Sequence, residues 1–276
     1  MFSQGRSLLK DLPNPALEAK VLLLKSTSIQ EGQFYSFPEN KLSRAEEKRF
    51  YKLVSKRLAG LPLPYITEVK EFWSIPFRVS PGILIPRPET ELIVEKVLEF
   101  SSRKKETVVD IGTGCGNIAV SLAKELPQAR IVATDTAMKA LRLAKLNASQ
   151  QKISNIIFAR GSLFSALSRL RLEGKCDFIV SNPPYVTEEE WPKLDAEIRN
   201  HEPKSALVAG KSGLEVIHKL IQGAPLYLKP GGCLLVEIGA GQKDKVMSFF
   251  DSSSVWEKAS FVKDLNGISR VAVGKI

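Results

Sequence analysis

From residue 90 onward the sequence alternates between two patterns. Apolar, β-rich runs occupy 107–111, 130–134, 155–159, 176–181 and 232–238, and helical patterns fill the gaps at about 90–101, 117–126, 136–149 and 213–228. Strands that are apolar along their whole length need cover on both faces, and strands separated by helix-length segments pair in parallel. The alternation therefore predicts an α/β unit, a mostly parallel sheet with helices on both sides. At the far end, a run near 255–263 and the run Ser269-Arg270-Val271-Ala272-Val273 flank Asn266-Gly267. That dipeptide favours a tight turn, so the sheet is expected to close with an antiparallel hairpin.

Residues 1–60 read differently, as helix. Asn14-Pro15 has the form of an N-cap followed by proline at the first helical position, and Leu17, Val21 and Leu24 then fall on one face. A second helix, roughly 43–59, opens with Ser43-Arg44-Ala45-Glu46, the pattern of a capping box, with Phe50, Leu53, Val54 and Leu58 as its apolar face. Lys48, Lys52 and Lys56 line another face, which suits solvent first and a nucleic acid or protein partner second. Between 60 and 88, eight glycines and prolines interrupt short β-like runs at Tyr65-Ile66-Thr67, Phe77-Arg78-Val79 and Ile83-Leu84-Ile85. Proline at this density excludes a long helix. The expected division is a helical domain over 1–60, a linker with a hairpin over 61–88, and the alternating domain over 89–276.

Composition narrows the class. With 43% hydrophobic and 25% charged residues in 276, the chain is of ordinary globular type. No apolar run reaches the ~18 residues of a membrane span. Lys10, Asp11 and Pro13 come too early for a secretory signal, so a cytoplasmic protein is expected. Cys115, Cys176 and Cys233 are far apart, without metal-ligand spacing, and are expected as free thiols with no metal. The net charge of +10 is spread along the chain. It is compatible with a negatively charged partner such as RNA, DNA or a ribonucleoprotein-associated factor, and equally with solubility alone.

The first strand of the alternating region runs into Asp110-Ile111-Gly112-Thr113-Gly114-Cys115-Gly116-Asn117, and a helix follows. The spacing is G-x-G-x-G. In the dinucleotide fingerprint G-x-G-x-x-G the last glycine would fall at Asn117. A pyrophosphate seeks the free N–H groups of a helix N-terminus. A glycine-flattened loop led by an acid instead suits a ligand that lacks phosphate and carries an ammonium, which Asp110 can meet directly or through water. The next strand, Arg130 to Thr134, ends in Asp135, a carboxylate placed to take both hydroxyls of a ribose. Loop and acid together point to S-adenosylmethionine, with NAD second.

The fourth strand of the region runs into Ser181-Asn182-Pro183-Pro184-Tyr185. Proline pushes the residue before it into an extended conformation, and the two prolines themselves have fixed φ and no N–H. The corner offers acceptors without competing donors: the Asn182 side-chain oxygen and a main-chain carbonyl, that of Pro183. Two such acceptors match the two hydrogens of a flat –NH2 group, and Tyr185 offers a face for it to lie against. If the fourth strand lies beside the first, this corner faces the glycine loop. The expected chemistry is methyl transfer to an amide or exocyclic amine nitrogen, with Asn182, Pro183 and Tyr185 as catalytic residues and Asn182, Pro183, Pro184 and Tyr185 as the substrate site. No general base stands out; the proton is expected to leave late, to water or through the Asn182 carbonyl.

Taken together, these motifs resemble the HemK/PrmC family of protein-(glutamine-N5) methyltransferases, which modify peptide-chain release factors. Leu84-Ile85-Pro86-Arg87-Pro88-Glu89-Thr90-Glu91 resembles the family's IPRPETE segment, Asp110 to Gly116 its cofactor loop, and Asn182 to Tyr185 its substrate motif. His201-Glu202-Pro203-Lys204-Ser205-Ala206-Leu207 with Gly213-Leu214 is similar to a further family segment. The resemblance implies a class I S-adenosylmethionine-dependent methyltransferase domain, Rossmann-like, behind a helical domain that helps dock the release factor. It implies the glutamine of a Gly-Gly-Gln tip as substrate, with neither membrane nor stable nucleic-acid binding. Gly112, Thr113, Gly114, Cys115, Gly116 and Asp135 would hold the cofactor, with Asp110, Leu163 and Asn182 beside it.

Three departures matter. Ser162-Leu163 stands where the family often has Asp and an aromatic, so the Leu163 backbone and side chain are expected to cover the adenine. Cys115 replaces a commoner Ser or Thr and brings possible sensitivity to oxidation. Glu68 stands where a Gly is common. Arg87 and Glu89 fit either a functional role or a mutual salt bridge at the entrance. The rival readings are a nucleic-acid amino-methyltransferase acting on adenine N6 or cytosine N4, a non-catalytic release-factor-binding protein and, more remotely, an NAD-dependent reductase.

Overall fold

The computed structural model describes residues 1–27, 29–36, 41–102 and 104–276. Contacts divide the chain into two units, residues 1–69 with 195–201, and residues 70–194 with 202–276. Among the described residues no helix is long and apolar enough to cross a membrane.

The first unit is helical: α1 (Phe2–Leu8), α2 (Pro15–Ser26), α3 (Glu31–Ser36), α4 (Arg44–Leu58), α5 (Leu63–Thr67) and the later helix Ala196–His201. The capping box at Ser43 forms: its hydroxyl accepts from the Glu46 N–H, and the Glu46 carboxylate accepts from the Ser43 N–H at 2.8 Å. Leu9, Ala19, Leu22, Phe50, Val54 and Ile66 make the core. The α2 face differs from the expected one. Leu17 is exposed and Val21 and Leu24 are half-buried, whereas Glu18, Ala19, Leu22, Leu23 and Ser26 are buried. The deciding contact is ionic. Arg57 of α4, buried where Leu58 was expected, holds Glu18 at 2.5 Å, which turns that edge of α2 inward, and also holds Glu197 at 2.7 Å. Asn14 stands at the N-cap without a side-chain bond. The helical expectation for residues 37–40 lies outside the described residues.

Two further expectations for the linker are corrected. Tyr65-Ile66-Thr67 is helical, because Pro64 sits in the first turn of α5, where a missing N–H costs nothing. Glu68 ends that helix at φ 64°, left-handed, the conformation glycine takes most easily and the reason a glycine suits this position. Ile83-Leu84-Ile85 forms no strand. The hairpin is β1 (Val69–Phe72) with β2 (Ile75–Arg78).

The second unit continues with α6 (Glu91–Phe100), β3 (Thr107–Ile111), α7 (Asn117–Glu125), β4 (Arg130–Asp135), α8 (Met138–Gln150), β5 (Ile156–Arg160), α9 (Ser165–Arg169), β6 (Cys176–Ser181) and β7 (Val186–Thr187). Past α10, the helix Ala196–His201, come β8 (Val208–Gly210), α11 (Glu215–Gly223), β9 (Leu228–Glu237), α12 (Lys243–Asp251), β10 (Lys258–Lys263) and β11 (Ser269–Lys275). Helix α11 stops before the expected 228 because Pro225 lacks an N–H, and a 3-10 turn over Ala224–Leu226 replaces its end. Helix α12 had no expectation in the sequence.

The main sheet has seven strands in the order β10-β11-β9-β6-β3-β4-β5. Strands β5, β4, β3, β6 and β9 are parallel, and β11 and β10 run antiparallel at the end. The chain leaves β3 towards β4 and β5, then crosses back to lay β6 against the other side of β3, with Asp110 beside Val180. Strand order therefore reverses between β3 and β6, and a crevice opens at their carboxyl ends.

Candidate active site

A cavity of about 350 Å³ lies in that crevice. The glycine loop after β3 forms one wall and the Asn-Pro-Pro corner after β6 another, so two motifs separated by some seventy residues share one space. Gly112, Thr113, Gly114, Cys115, Asp135, Leu163, Asn182, Pro183 and Pro184 line it. Tyr185 lies in an adjoining smaller recess with Asn182, Pro183 and Arg87.

The loop is held from below. The Gly112 and Thr113 N–H groups both donate to the Thr134 carbonyl at 2.9 Å, and the Gly114 N–H donates to Asp135 Oδ2 at 3.0 Å. Its glycines have different causes. Gly116, at φ 86°, caps α7, and a Cβ there would stand 2.9 Å from the Ala144 Cβ on α8. A Cβ on Gly112 or Gly114 would meet no protein atom within 4 Å. All three have a left-handed backbone, at φ 77°, 57° and 86°; Gly116 is also required by packing, whereas Gly112 and Gly114 face open cavity.

Of the two contacts expected of Asp110, direct or through water, its position does not suit the direct one. It is fully buried beneath the loop and is absent from the cavity wall. Its Oδ2 accepts from the Thr113 hydroxyl at 2.6 Å, while Oδ1 has no partner. Burial pushes its pKa up to about 7; the Thr113 bond opposes this and the nearby Asp135 adds to it. The last residues of β3 are buried, which leaves Asp110 under the turn rather than at its rim.

Asp135 stands at the rim, at the end of β4. Its Oδ1 accepts from the Ala137 N–H at 2.8 Å and its Oδ2 from Gly114. Each carboxylate oxygen keeps a second lone pair for a hydroxyl. Leu163 is left-handed at φ 47° and half-buried at the wall. For a leucine this backbone costs about 1–3 kcal/mol. The Cys115 thiol is buried and pushed up to about 12 by burial, so little thiolate forms and the expected sensitivity to oxidation has no support in its surroundings.

At the other wall, the Tyr185 and Val186 N–H groups donate to the Leu207 carbonyl at 3.1 and 2.8 Å. Asn182 Nδ2 donates to Thr90 Oγ1 at 3.0 Å, and Thr90 donates to Glu237 Oε2 at 2.6 Å. The Tyr185 hydroxyl donates to Glu237 Oε1 at 3.2 Å. Neither Asn182 Oδ1 nor the Pro183 carbonyl accepts a bond from a described residue. Burial pushes the Glu237 carboxyl up to about 7 against the Thr90 and Tyr185 bonds, and raises the Tyr185 hydroxyl as well.

The entrance pairing differs from the Arg87–Glu89 bridge weighed above. Arg87 meets Glu202 at 2.5 Å, and Glu202, whose side chain is 2% exposed, also accepts from the Ile85 N–H at 3.1 Å. One buried carboxylate thus fixes the backbone and the guanidinium of the 85–87 segment. Thr90, Glu202 and Glu237 were given no role from the sequence. Thr90 and Glu202 stand inside two of the family-like segments quoted above, and Glu237 had a local signal, a carboxylate closing the apolar run Cys233-Leu234-Leu235-Val236.

Comparison with known proteins agrees over both units. Residues 1–67 match the model of the PrmC N-terminal domain and residues 88–200 that of the methyltransferase small domain. A release factor glutamine methyltransferase of Koribacter versatilis is 39% identical over 96% of this chain and 92% of its own length. One of Geobacter sulfurreducens is 37% identical over 100% of this chain and 94% of its own. Among solved structures, a methyltransferase from Pyrococcus furiosus aligns with a TM-score of 0.56 at 20% identity, over 80% of this chain and 98% of that one. At that identity the likeness is one of fold.

Proposed function

The chain belongs to the release factor glutamine methyltransferase family, and from that premise we propose that it methylates the side-chain amide nitrogen (N5) of a glutamine in a peptide-chain release factor, using S-adenosylmethionine. The glutamine is that of the Gly-Gly-Gln tip of class I factors, and the modification supports translation termination.

The residues present fit the cofactor. Gly112 and Gly114 leave open the space that side chains would fill, Asp135 keeps lone pairs for the ribose hydroxyls, and Leu163 gives the adenine an apolar wall. The cavity volume lies within the usual range for a ligand of that size. When bound, S-adenosylmethionine supplies a methyl group on a positively charged sulfur. Asp110 serves by holding Thr113, and through it the loop, rather than by touching the ligand.

The observation that carries the proposal is the pair of unengaged acceptors, Asn182 Oδ1 and the Pro183 carbonyl, at a corner whose prolines have no N–H. They take both hydrogens of the glutamine –NH2 and aim its nitrogen into the cavity, with Tyr185 packed against the amide plane. An amide nitrogen is a poor nucleophile because its lone pair is delocalised. Positive charge grows on it as the carbon–nitrogen bond forms and the carbon–sulfur bond breaks, two fixed acceptors stabilise that charge, and the surplus N–H proton leaves late, to water or through the Asn182 carbonyl. Holding the nitrogen in line removes much of the remaining barrier. Pro184 keeps the corner rigid.

Mass spectrometry of a release factor after incubation with enzyme and cofactor tests the proposal, with one methyl group expected on the Gly-Gly-Gln glutamine. Transfer to DNA or RNA and none to the factor would refute it. Asn182→Ala is expected to lower turnover about 10²–10³-fold, the loss typical of one preorganised hydrogen-bond partner.

A further inference from the structure

The corner works only if Asn182 turns its oxygen, and not its –NH2, towards the substrate. The two ends of a carboxamide have nearly the same shape, so packing alone does not choose between them. The choice is made by what lies behind. Asn182 Nδ2 reaches Thr90 Oγ1, and Thr90 is 1% exposed. A threonine hydroxyl has one proton. Here it goes to the Glu237 carboxylate, 2% exposed, at 2.6 Å. A short O–H bond to a carboxylate is roughly twice as strong as one to a neutral amide oxygen. With Glu237 ionised, Thr90 is therefore left with lone pairs only, and a group facing it must donate.

We propose that Thr90 and Glu237 are positioning residues, a buried relay that fixes the Asn182 amide so that its oxygen faces the substrate. The reversed amide would set Oδ1 against Thr90 Oγ1, acceptor against acceptor, and would turn two N–H groups towards a substrate –NH2 that also donates. The same carboxylate takes the Tyr185 hydroxyl on Oε1, so one buried acid orients both ends of the corner. Three segments meet to build it: the 3-10 turn Pro88–Thr90, the carboxyl end of β9 and the loop after β6. Strand pairing brings the last two together, since Val236 lies beside Ser181. The charged groups that bear on Glu237 are Glu89 from the turn and Arg270 from β11, with Tyr185 the titratable hydroxyl in contact.

The relay rests on the amide-methylation reading, but it is tested first in the ligand-free protein. With asparagine nitrogen-15 labelling, the Asn182 side-chain –NH2 resonance is assigned by its loss in Asn182→Ala. In the wild type this resonance is expected to shift as Glu237 takes up a proton around neutral pH. The shift should vanish in Glu237→Gln. Thr90→Val, isosteric without the hydroxyl, should move the resonance towards that of a free amide, and Thr90→Ser should restore it. In turnover, Thr90→Val is expected to lower kcat about 10–100-fold, the cost of losing an orienting partner, with cofactor affinity little changed. Thr90→Ser recovers most of that loss. A resonance indifferent to both Thr90→Val and Glu237→Gln would overturn the relay. So would a Thr90→Val protein whose lower turnover is matched by a lower melting temperature and weaker cofactor binding, the mark of a merely structural role. Because the resonance is read without substrate, a wild-type enzyme inactive on release factors would overturn the functional reading alone.

Discussion

Adding one methyl group to two neighbouring glycines of the loop separates packing from binding. Gly116→Ala places a Cβ 2.9 Å from the Ala144 Cβ and 3.1 Å from its Cα, in a residue held at φ 86°. The left-handed backbone costs about 1–2 kcal/mol for an alanine. Overpacking against α8, whose backbone cannot easily give, adds about 1–3 kcal/mol. Against a total stability of roughly 5–15 kcal/mol, a loss of about 2–5 kcal/mol lowers the melting temperature on the order of 10 °C. Gly114→Ala, at φ 57°, carries the backbone cost alone, because its Cβ meets no protein atom within 4 Å. Its methyl group instead occupies cavity space. The overpacking then falls on the complex, and cofactor affinity should drop by about tenfold or more. Thermal melting and titration calorimetry with S-adenosylmethionine read the two effects separately. If Gly114→Ala melts as low as Gly116→Ala while binding the cofactor as the wild type does, both glycines are steric and the loop is no cofactor cradle.

Asp110 and Glu237 give the protein a pH signature. Each is raised to about 7 by burial, so between the ordinary carboxylate range and about pH 7 the folded state holds protons that the unfolded state has released. Stability should therefore fall as pH rises through that window and level off above it; urea midpoints across the window should give a shallower slope for Glu237→Gln. Glu202→Ala strands a partly buried Arg87 and frees the Ile85 N–H, which is expected to cost about 3 kcal/mol in chemical denaturation, the lower end for a broken buried pair. Glu68→Gly relieves a left-handed glutamate at the end of α5 and should stabilise the protein by about 1 kcal/mol, read as a higher denaturation midpoint.

The spacing of apolar runs was enough to give the sheet, its parallel sense and its final hairpin, because strand and helix periodicities are local properties of the chain. The glycine loop and the Asn-Pro-Pro corner were equally legible, since backbone freedom and a missing N–H are written into glycine and proline. Burial was not. Asp110 read as meeting the ligand directly or through water; that it lies buried under the loop, away from direct contact, is not distinguished by the pattern along β3. The buried face of α2 misread for a related reason: an ion pair from Arg57 of α4 outweighs the apolar count. The Arg87 partner came from Glu202, 115 residues away, and not from Glu89.

What the sequence by itself determined is the local make-up of the proposed site: a glycine loop with an acid at the end of the next strand, and a rigid corner whose prolines have no N–H. What only the tertiary structure decided is how that corner is oriented. Thr90 and Glu237 are 147 residues apart: β9 pairing with β6 sets Glu237 beside the corner, and the packing of α6 on β9 brings up Thr90. A hydrogen bond spans only about 3 Å, so contacts of this kind are set by strand order, which one segment of sequence does not contain.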